Sequence, residues 1–589
     1  MIQLRSIDLN NLSVIDDRYN GGKNMRRNVL RTIVCMLLIS VLLPLTAVQS
    51  SQTPLRIITS ERDIEVLSDD LLRVVEPFDP QLSKCFSPGP GYYDTSEYLL
   101  GSAVVGVIFL ESNGAIDPST ESWTPTEETT VQNEINQALT WWAGQNLYAG
   151  VSFTLDVHTS VPTSYEPIIH PSAITNNAWE QLWVSEAMAS LGYSSGDWMK
   201  RTRDYINAIR TSYGTDWAFA VYVIDSSTDT DGLFSDNYCA YAYLGGPFIV
   251  MTYDNGKTTN PWPLPSWGIG RMDQVMAHET GHIYWATDEY NGNTEYSGYL
   301  NSADVEGSGC LMDTNALSLS SGTILQIGWR DTDGDNIQDI IDTYPETMLN
   351  PYVPDPTSNT ILTYTGSSTE VPYTNNNPQP NNAGNDVTIN NIMVVLYRID
   401  GGTLMPATPV DGLYDEPVED YTFTTPSLPT RPPHVIEAIA QNNIGNLDQT
   451  PARDTVTIDN PPSNPTITGP NTGKAGQECT YTILATDPDT DQVYYWVDWG
   501  DSTNSGWLGP FSSGATSTAK HTWSAKGSYT VQVKAKDSFT MESGWTTLNV
   551  TMPYSYDKPI LQFLELFFQR YPHAFPILRY LLEWESMKL

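Results

Sequence analysis

Apolar positions recur along the chain with two different periods. Residues 102–111, Ser-Ala-Val-Val-Gly-Val-Ile-Phe-Leu-Glu, form a nearly unbroken apolar run of strand length, as expected where both faces are covered. From Glu127 to Leu147, the residues Val131, Ile135, Leu139, Trp141 and Trp142 return at near-helical spacing and predict an amphipathic helix. Val151–Val157 alternates as a strand does. Helical spacing reappears over 177–191 and 197–212, Trp217–Ile224 and Ala240–Tyr253 read as strands, and Met272–Trp285 reads as a helix. That order predicts an α/β (α+β) domain over 101–330. After Pro345 the texture changes. Asn and Pro cluster in Tyr373–Asn385, and the later apolar runs, such as Val387–Ile399 and His434–Gln441, are short and alternating. They predict two all-β sandwiches, one over 350–460 and one over 463–552, in a multidomain chain.

Charge changes the picture first by exclusion. The 589 residues carry 69 Asp+Glu against 29 Lys+Arg, a formal charge of −40. Such a field repels phosphate backbones, so no nucleic-acid partner is expected. With 40% hydrophobic and 11% aromatic residues, the chain is nevertheless built to fold. Arg26, Arg27 and Arg31 precede an uncharged stretch from Thr32 to Val48, the layout of a signal peptide and short for a membrane span. Residues 1–50 therefore read as leader and signal peptide, with Met25 the natural start and cleavage near Ser50/Ser51. A retained N-terminal anchor is the alternative. Either way the expected location is secreted or cell-surface.

Residues 51–100 read as an N-terminal segment or propeptide. Within it Cys85 is either a thiolate that blocks a metal or half of a disulfide. Outside the leader, the cysteines are Cys85, Cys239, Cys310 and Cys479, with no CxxC pair. Cys239–Cys310 is the favoured pair, because both flank the histidine motif described next. The aromatic tail, 553–589, is interrupted by Glu565, Arg570, Pro572, Pro576 and Arg579, too broken to span a bilayer. A peripheral membrane contact, a sorting tail or a docked helix pair all fit it. It resembles short tails on exported archaeal proteins.

The chemistry concentrates in His278-Glu279-Thr280-Gly281-His282. On a helix, positions i and i+4 share a face, so both imidazoles reach one metal, while Glu279 lies one step round, near a metal-bound water. A catalytic zinc takes three protein ligands, and six residues after His282 come Asp288 and then Glu289, either able to be the third. The pattern His-Glu-x-x-His-x-x-x-x-x-Asp resembles the metzincin clan of zinc metallopeptidases. Its ending, Asp288-Glu289-Tyr290, resembles the chloride-channel-regulator proteases and the IgA-peptidase-like family. The resemblance implies a zincin fold, Zn2+ held by His278, His282 and Asp288, and Glu279 as general base in peptide-bond hydrolysis. Trp285 stands where the clan has a glycine. Ser308-Gly309-Cys310-Leu311-Met312-Asp313 resembles the clan's Met-turn, with Met312 as a floor under the histidines. In the same resemblance Ala240–Tyr253 contains the edge strand on which a peptide substrate lies, although an ordinary paired strand reads equally well.

Two further stretches add binding functions. Asp331-Thr332-Asp333-Gly334-Asp335-Asn336-Ile337-Gln338-Asp339-Ile340-Ile341-Asp342 places acids at positions 1, 3, 5, 9 and 12 of an EF-hand-type calcium loop, with the Ile337 carbonyl at position 7. Asn336 takes the usual glycine position. Without evident flanking helices, the 331–342 loop resembles those of dockerin or thrombospondin repeats and implies Ca2+. Tyr494–Asp501, His521-Thr522-Trp523 and Gly527–Val533 together resemble a polycystic-kidney-disease (PKD) domain over 463–552, and 350–460 resembles immunoglobulin or fibronectin-like modules. Such modules imply spacers, or contact with a surface polymer or glycan. The expected function is thus a secreted or surface zinc endopeptidase acting on protein or peptide substrates. The rival is a non-catalytic calcium-binding adhesin or structural protein with a degenerate zincin-like domain, against which the intact Glu279 argues. A glycosidase would need a paired-carboxylate signal, and none is legible.

Overall fold

Residues 88–254, 268–290, 292–553 and 559–573 are described by a computed structural model of the chain. The leader, the rest of the 51–87 segment with Cys85, and the tail beyond 573 lie outside the described residues.

The first layer is assembled from β1 (Ser102–Ser112), α1 (Pro125–Gln145), β2 (Ser152–Thr163), α2 (Ala173–Ser190), α3 (Trp198–Tyr213), β3 (Trp217–Ile224), β4 (Ala240–Ala242), β5 (Phe248–Thr252) and α4 (Met272–Ile283). The strands make one sheet in the order β2-β1-β3-β5-β4, parallel except for β4, which runs antiparallel to β5 at the edge. Parallel neighbours require crossovers, and α1 and the α2–α3 pair supply them. Alternation along β1 and β3 then fixes the faces. Val105, Val107, Phe109, Phe219, Val221 and Val223 pack with α1 and α4. Val104, Ile108, Ala218 and Tyr222 pack with α2 and α3 on the other side. Both faces being covered accounts for the continuous apolar runs seen in the sequence.

The stretch Ala240–Tyr253, read as one strand, is a hairpin. Gly245 and Gly246 adopt φ of +80° and +83° and turn the chain back between β4 and β5. The long helix α1 opens with a reciprocal cap between Thr124 and Glu127. Near its other end Trp142 donates from Nε1 to the carbonyl of Ala277 at 2.9 Å, fastening α4 against α1.

Residues 88–100 belong to this layer instead of standing apart. Thr95 accepts the amide of Ala218 (3.0 Å), Leu99 donates to Ile327 (2.9 Å), and Tyr98, Leu99 and Leu100 lie in the core. After α4 come the short helices α5 (Leu311–Thr314) and α6 (Ser321–Gln326).

Beyond Pro345 two antiparallel sandwiches follow, the first of two four-stranded sheets, the second of one three-stranded and one four-stranded sheet. The second shows what its signature residues do. The His521 ring stacks on Trp499 with centroids 4.7 Å apart, Asp501 Oδ2 meets His521 Nε2 at 2.8 Å, and Trp523 donates to the Trp499 carbonyl at 3.1 Å.

The Asn- and Pro-rich stretch is structured. It docks on the α/β layer. Asn375 and Asn382 donate side-chain amides to Glu97, Asn385 to Asp94, and Asn381 to the Leu244 carbonyl at the β4–β5 turn. Thr388 donates its backbone amide to the Pro88 carbonyl at 2.7 Å.

Candidate functional site

The helix α4 is buried along almost its whole length, because it lies between the sheet and α1. It brings His278 and His282 to one side, as their spacing requires. Each imidazole is oriented from behind. His278 donates from Nδ1 to the Leu311 carbonyl at 2.9 Å, and His282 from Nδ1 to the Ala286 carbonyl at 2.8 Å. In the neutral imidazoles these bonds select the tautomer that presents Nε2 as an acceptor. The two Nε2 atoms lie 3.0 Å apart, and Asp288 Oδ1 stands 3.2 Å from one and 3.5 Å from the other.

With both imidazoles neutral, three acceptor atoms meet with no donor among them, which calls for positive charge at their centre. An ion with tetrahedral ligands about 2.0–2.1 Å away spaces them about 3.3–3.4 Å apart, close to this triangle. Glu279, next to His278, is fully buried, and both its carboxylate oxygens lack a hydrogen-bond partner. The residues present therefore fit a four-coordinate cation with an acid-base group beside it.

The titration of the cluster follows from the same geometry. A proton on His278 can itself supply that positive charge: burial pulls His278 down, but the hydrogen bond and charge of Asp288, with Glu279 behind it, outweigh that and raise it to about 9. Burial takes His282 the other way, to about 4, against the charge of Asp288 and with that of His278. Burial pushes Glu279 up to about 8, opposed by the charge of His278 and helped by Asp288.

Of the two adjacent acids, the structure brings Asp288 to the histidines and takes Glu289 elsewhere. Glu289 Oε1 accepts the hydroxyls of Ser320 and of Thr323 (3.0 Å), and Oε2 accepts Ser308 Oγ (2.5 Å) and Cys310 Sγ (3.2 Å). Its amide also donates to the Met312 carbonyl at 2.9 Å. Glu289 is the buried anchor that holds the 308–323 loop, and with it Met312, under α4. Sequence reasoning missed this role. The Ser and Thr residues downstream were the only signal.

Cys239 and Cys310, expected as a disulfide, are free buried thiols, as is Cys479. The reason is local. Cys310 caps α5, accepting the Met312 amide and donating to Glu289. Cys239 immediately precedes β4, where burial, and then the charge of Glu279, push its thiol up to about 12.

Trp285, in the turn that follows α4, takes a left-handed conformation with φ of +72°. Its indole lies over Gly245, where a Cβ would come within 2.2 Å of the ring. Gly245 in turn donates its amide to the His282 carbonyl at 2.9 Å. Strand β4 is the outermost of the sheet, and Ala240 through Tyr243 are fully covered.

In the 331–342 loop, Asp331, Asp333 and Asp335 offer oxygens within 4.8 Å of one another. Asn336 takes φ of +74°, as the turn requires. Ile337 donates its amide to Asp335. The structure does not bring Asp339 and Asp342 into this group. Asp339 pairs with Arg330 Nε at 2.5 Å and accepts from Thr332, while Asp342 accepts the side chain of Asn446 at 2.7 Å.

The helix Pro559–Arg570 leaves Phe563 and Leu566 exposed. Among the described residues no helix is long and apolar enough to cross a membrane.

No family model matches the chain, and none of the curated proteins is similar to it. Among solved structures, the PKD domain of an M14-like peptidase from Thermoplasmatales archaeon SCGC AB-540-F20 is 45% identical, covering 16% of this chain and 99% of its own, with a TM-score of 0.16. A chimeric titin Z1Z2 functionalized with a KLER exogenous peptide from decorin is 15% identical over 35% of this chain and 94% of its own, with a TM-score of 0.15. The first likeness is to one module.

Proposed function

We propose that the chain is an exported, zinc-dependent endopeptidase of metzincin type. One observation carries this reading: His278, His282 and Asp288 converge, their facing atoms within 3.5 Å of one another, beside Glu279, a buried carboxyl group with both oxygens unpartnered. Nitrogen and carboxylate donors in this number suit zinc and leave a coordination position open. The five-stranded sheet with one antiparallel edge strand, and α4 beneath it, supports the same reading.

Zinc held by His278, His282 and Asp288 would polarise a substrate carbonyl and acidify a bound water. The rest is done by the chain's own residues. The carbonyls of Leu311 and Ala286 hold the imidazoles in register. Glu279 takes the proton of the attacking water onto its carboxylate and returns it to the leaving amine. A carboxylate beside the bound water can hold that proton between the two transfers. Met312 keeps water and side chains from filling the space under the histidines, being fully buried itself.

The signal-peptide layout and acidic composition place this activity outside the cytoplasm in our reading, with Ca2+ bound by Asp331, Asp333 and Asp335. The two sandwiches present the enzyme at a surface.

The test is zinc content together with cleavage of a random peptide library, with and without chelator, on the parent and on Glu279→Gln. The reading expects one zinc per chain in both, and loss of cleavage by about 10²- to 10⁴-fold in the variant. A metal-loaded parent that cleaves nothing would instead make the domain a binding module of an adhesin. Cleavage that survives Glu279→Gln would overturn the mechanism.

A further inference from the structure

One connection of the first sandwich reaches the histidine helix. Between the strands Thr363–Glu370 and Ile392–Ile399, which lie in its two different sheets, the chain leaves the sandwich and docks on the α/β layer as a strap. Both ends of the strap meet one side chain. The buried Tyr299 hydroxyl donates to the Tyr373 carbonyl at 2.7 Å and accepts the Val387 amide at 2.8 Å. Between these points Asn376 donates its amide to the Tyr299 carbonyl (2.9 Å), and Gln379 its side chain to the Tyr296 carbonyl (3.0 Å).

Near the middle of the strap, Asn381 donates from Nδ2 to the Leu244 carbonyl at 2.5 Å. That carbonyl shares its peptide unit with the Gly245 amide, which donates to the His282 carbonyl at 2.9 Å. A trans peptide is planar, with its C=O and N–H pointing in opposite directions, so strap and helix hold one rigid plate by its two edges. His282 lies in the last turn of α4, where carbonyls have no partner within the helix. The Trp285 amide answers this one at 3.0 Å from the turn that follows, and Gly245 answers it from the sheet. Hydrogen bonds in such a chain polarise one another, so the first strengthens the second. Ser96 Oγ, donating to the Gly245 carbonyl at 3.1 Å, holds the same β4–β5 turn from a third side.

Asn381 makes this bond with its other polar atom unanswered, for Oδ1 is buried with no hydrogen-bond partner. A buried acceptor left bare is destabilising, and an apolar side chain would pack the strap without it. What the amide does here that an apolar group could not is hold the Leu244 carbonyl, and through it the end of α4.

We propose that the first sandwich is a working part of the metal site, with Asn381 a positioning residue that fixes the His282 end of α4 through the Leu244–Gly245 peptide. Asn381 bears on zinc only if His278, His282 and Asp288 hold it, so this role rests on the peptidase reading.

The full chain is loaded with zinc and, separately, with cobalt, as parent, Asn381→Ala, Asn381→Asp and Asn385→Ala. Asn385 is the control, since it docks the same strap by donating to Asp94 at 3.0 Å and stands outside the route to His282. Zinc should pass to excess chelator roughly three- to tenfold faster from both Asn381 variants than from the parent, less than loss of a direct imidazole partner would cause. Their cobalt absorption bands should shift, a signature of ligand geometry that a loss of stability alone does not produce. Metal-free melting should change little in Asn381→Ala, where removal of an unpartnered acceptor offsets the lost bond. Asn385→Ala should keep the parent's release rate and spectrum. Asn381 variants with the parent's release rate and spectrum overturn the proposal, as does an Asn385→Ala chain that changes both equally. A parent that takes up neither metal overturns the zinc reading itself, and this role falls with it.

Discussion

The sulphur of Met312 occupies the space that a side chain on Gly281 would need. A Cβ placed on Gly281 would lie 2.7 Å from Met312 Sδ and 3.2 Å from Cε. A glycine inside a helix costs about 1 kcal/mol relative to alanine, and here that cost allows the methionine to lie directly against α4 beside His282.

Gly281→Ala should therefore gain about 1 kcal/mol of helix propensity and lose about 1–3 kcal/mol to overpacking, moving the melting temperature little. The displaced Met312 tilts the imidazoles, and zinc is lost to a competing chelator at lower concentration. Met312→Ala in the same chain removes the contact and should restore part of that retention. Melts and chelator competition on the four chains of this cycle check it, and strictly additive effects would show that the contact carries no energy.

Asp288 and Glu289 are neighbours with separable jobs. Asp288→Asn is expected to lower zinc retention at least tenfold while the melting temperature stays close to that of the metal-free parent. Glu289→Gln turns an amide donor toward hydroxyl and thiol donors and should cost about 3 kcal/mol of stability. Metal analysis and denaturant titration read the two effects independently. Glu289→Gln with full stability would contradict the anchoring role.

Gly245→Ala drives a Cβ into the Trp285 indole, which is 2% exposed and has no free space to enter. Strain at φ of +80° adds to the clash. A loss of about 2–4 kcal/mol is expected by chemical denaturation. Because Gly245 also bonds the His282 carbonyl, zinc retention should fall with it.

Glu180 gives the chain a pH dependence. Its carboxylate is fully buried on the side of the sheet away from α4, where it accepts Trp198 Nε1 (2.8 Å), Tyr241 OH (2.6 Å) and Tyr243 OH (2.7 Å). Burial pushes it up to about 7, with the three donors pulling back. The folded state thus holds this proton more tightly than the unfolded chain does. The contribution is fully present below about pH 4.5 and is lost as the pH rises through about 7, a change of roughly 3 kcal/mol. Denaturant titrations of calcium-free protein at pH 5 and pH 8 should show the parent weakening with pH, and Glu180→Gln weakening less.

What was legible in the sequence was what depends on short range. Trp217–Ile224 is an uninterrupted apolar octet, and the structure has its strand over the same residues. His278 and His282 could be placed together because four residues on a helix fix their relation whatever surrounds them. The choice between Asp288 and Glu289 could not be made that way, since it depends on Ser308, Ser320 and Thr323 arriving from a later loop. Cys239 and Cys310 flank the motif in sequence, but flanking fixes no distance, and each sulphur has a different neighbour.

Tyr373–Asn385 read as a texture change between domains, yet the Glu97 carboxyl group, which burial and the charge of Asp94 push up to about 8, has its two amide donors from Asn382 and Asn375 in that stretch. A boundary drawn near Pro345 would leave a buried acid with neither. The piece that can be expressed without cutting these ties therefore runs from residue 88 through the first sandwich. For expression, the α/β layer and its neighbour are one piece.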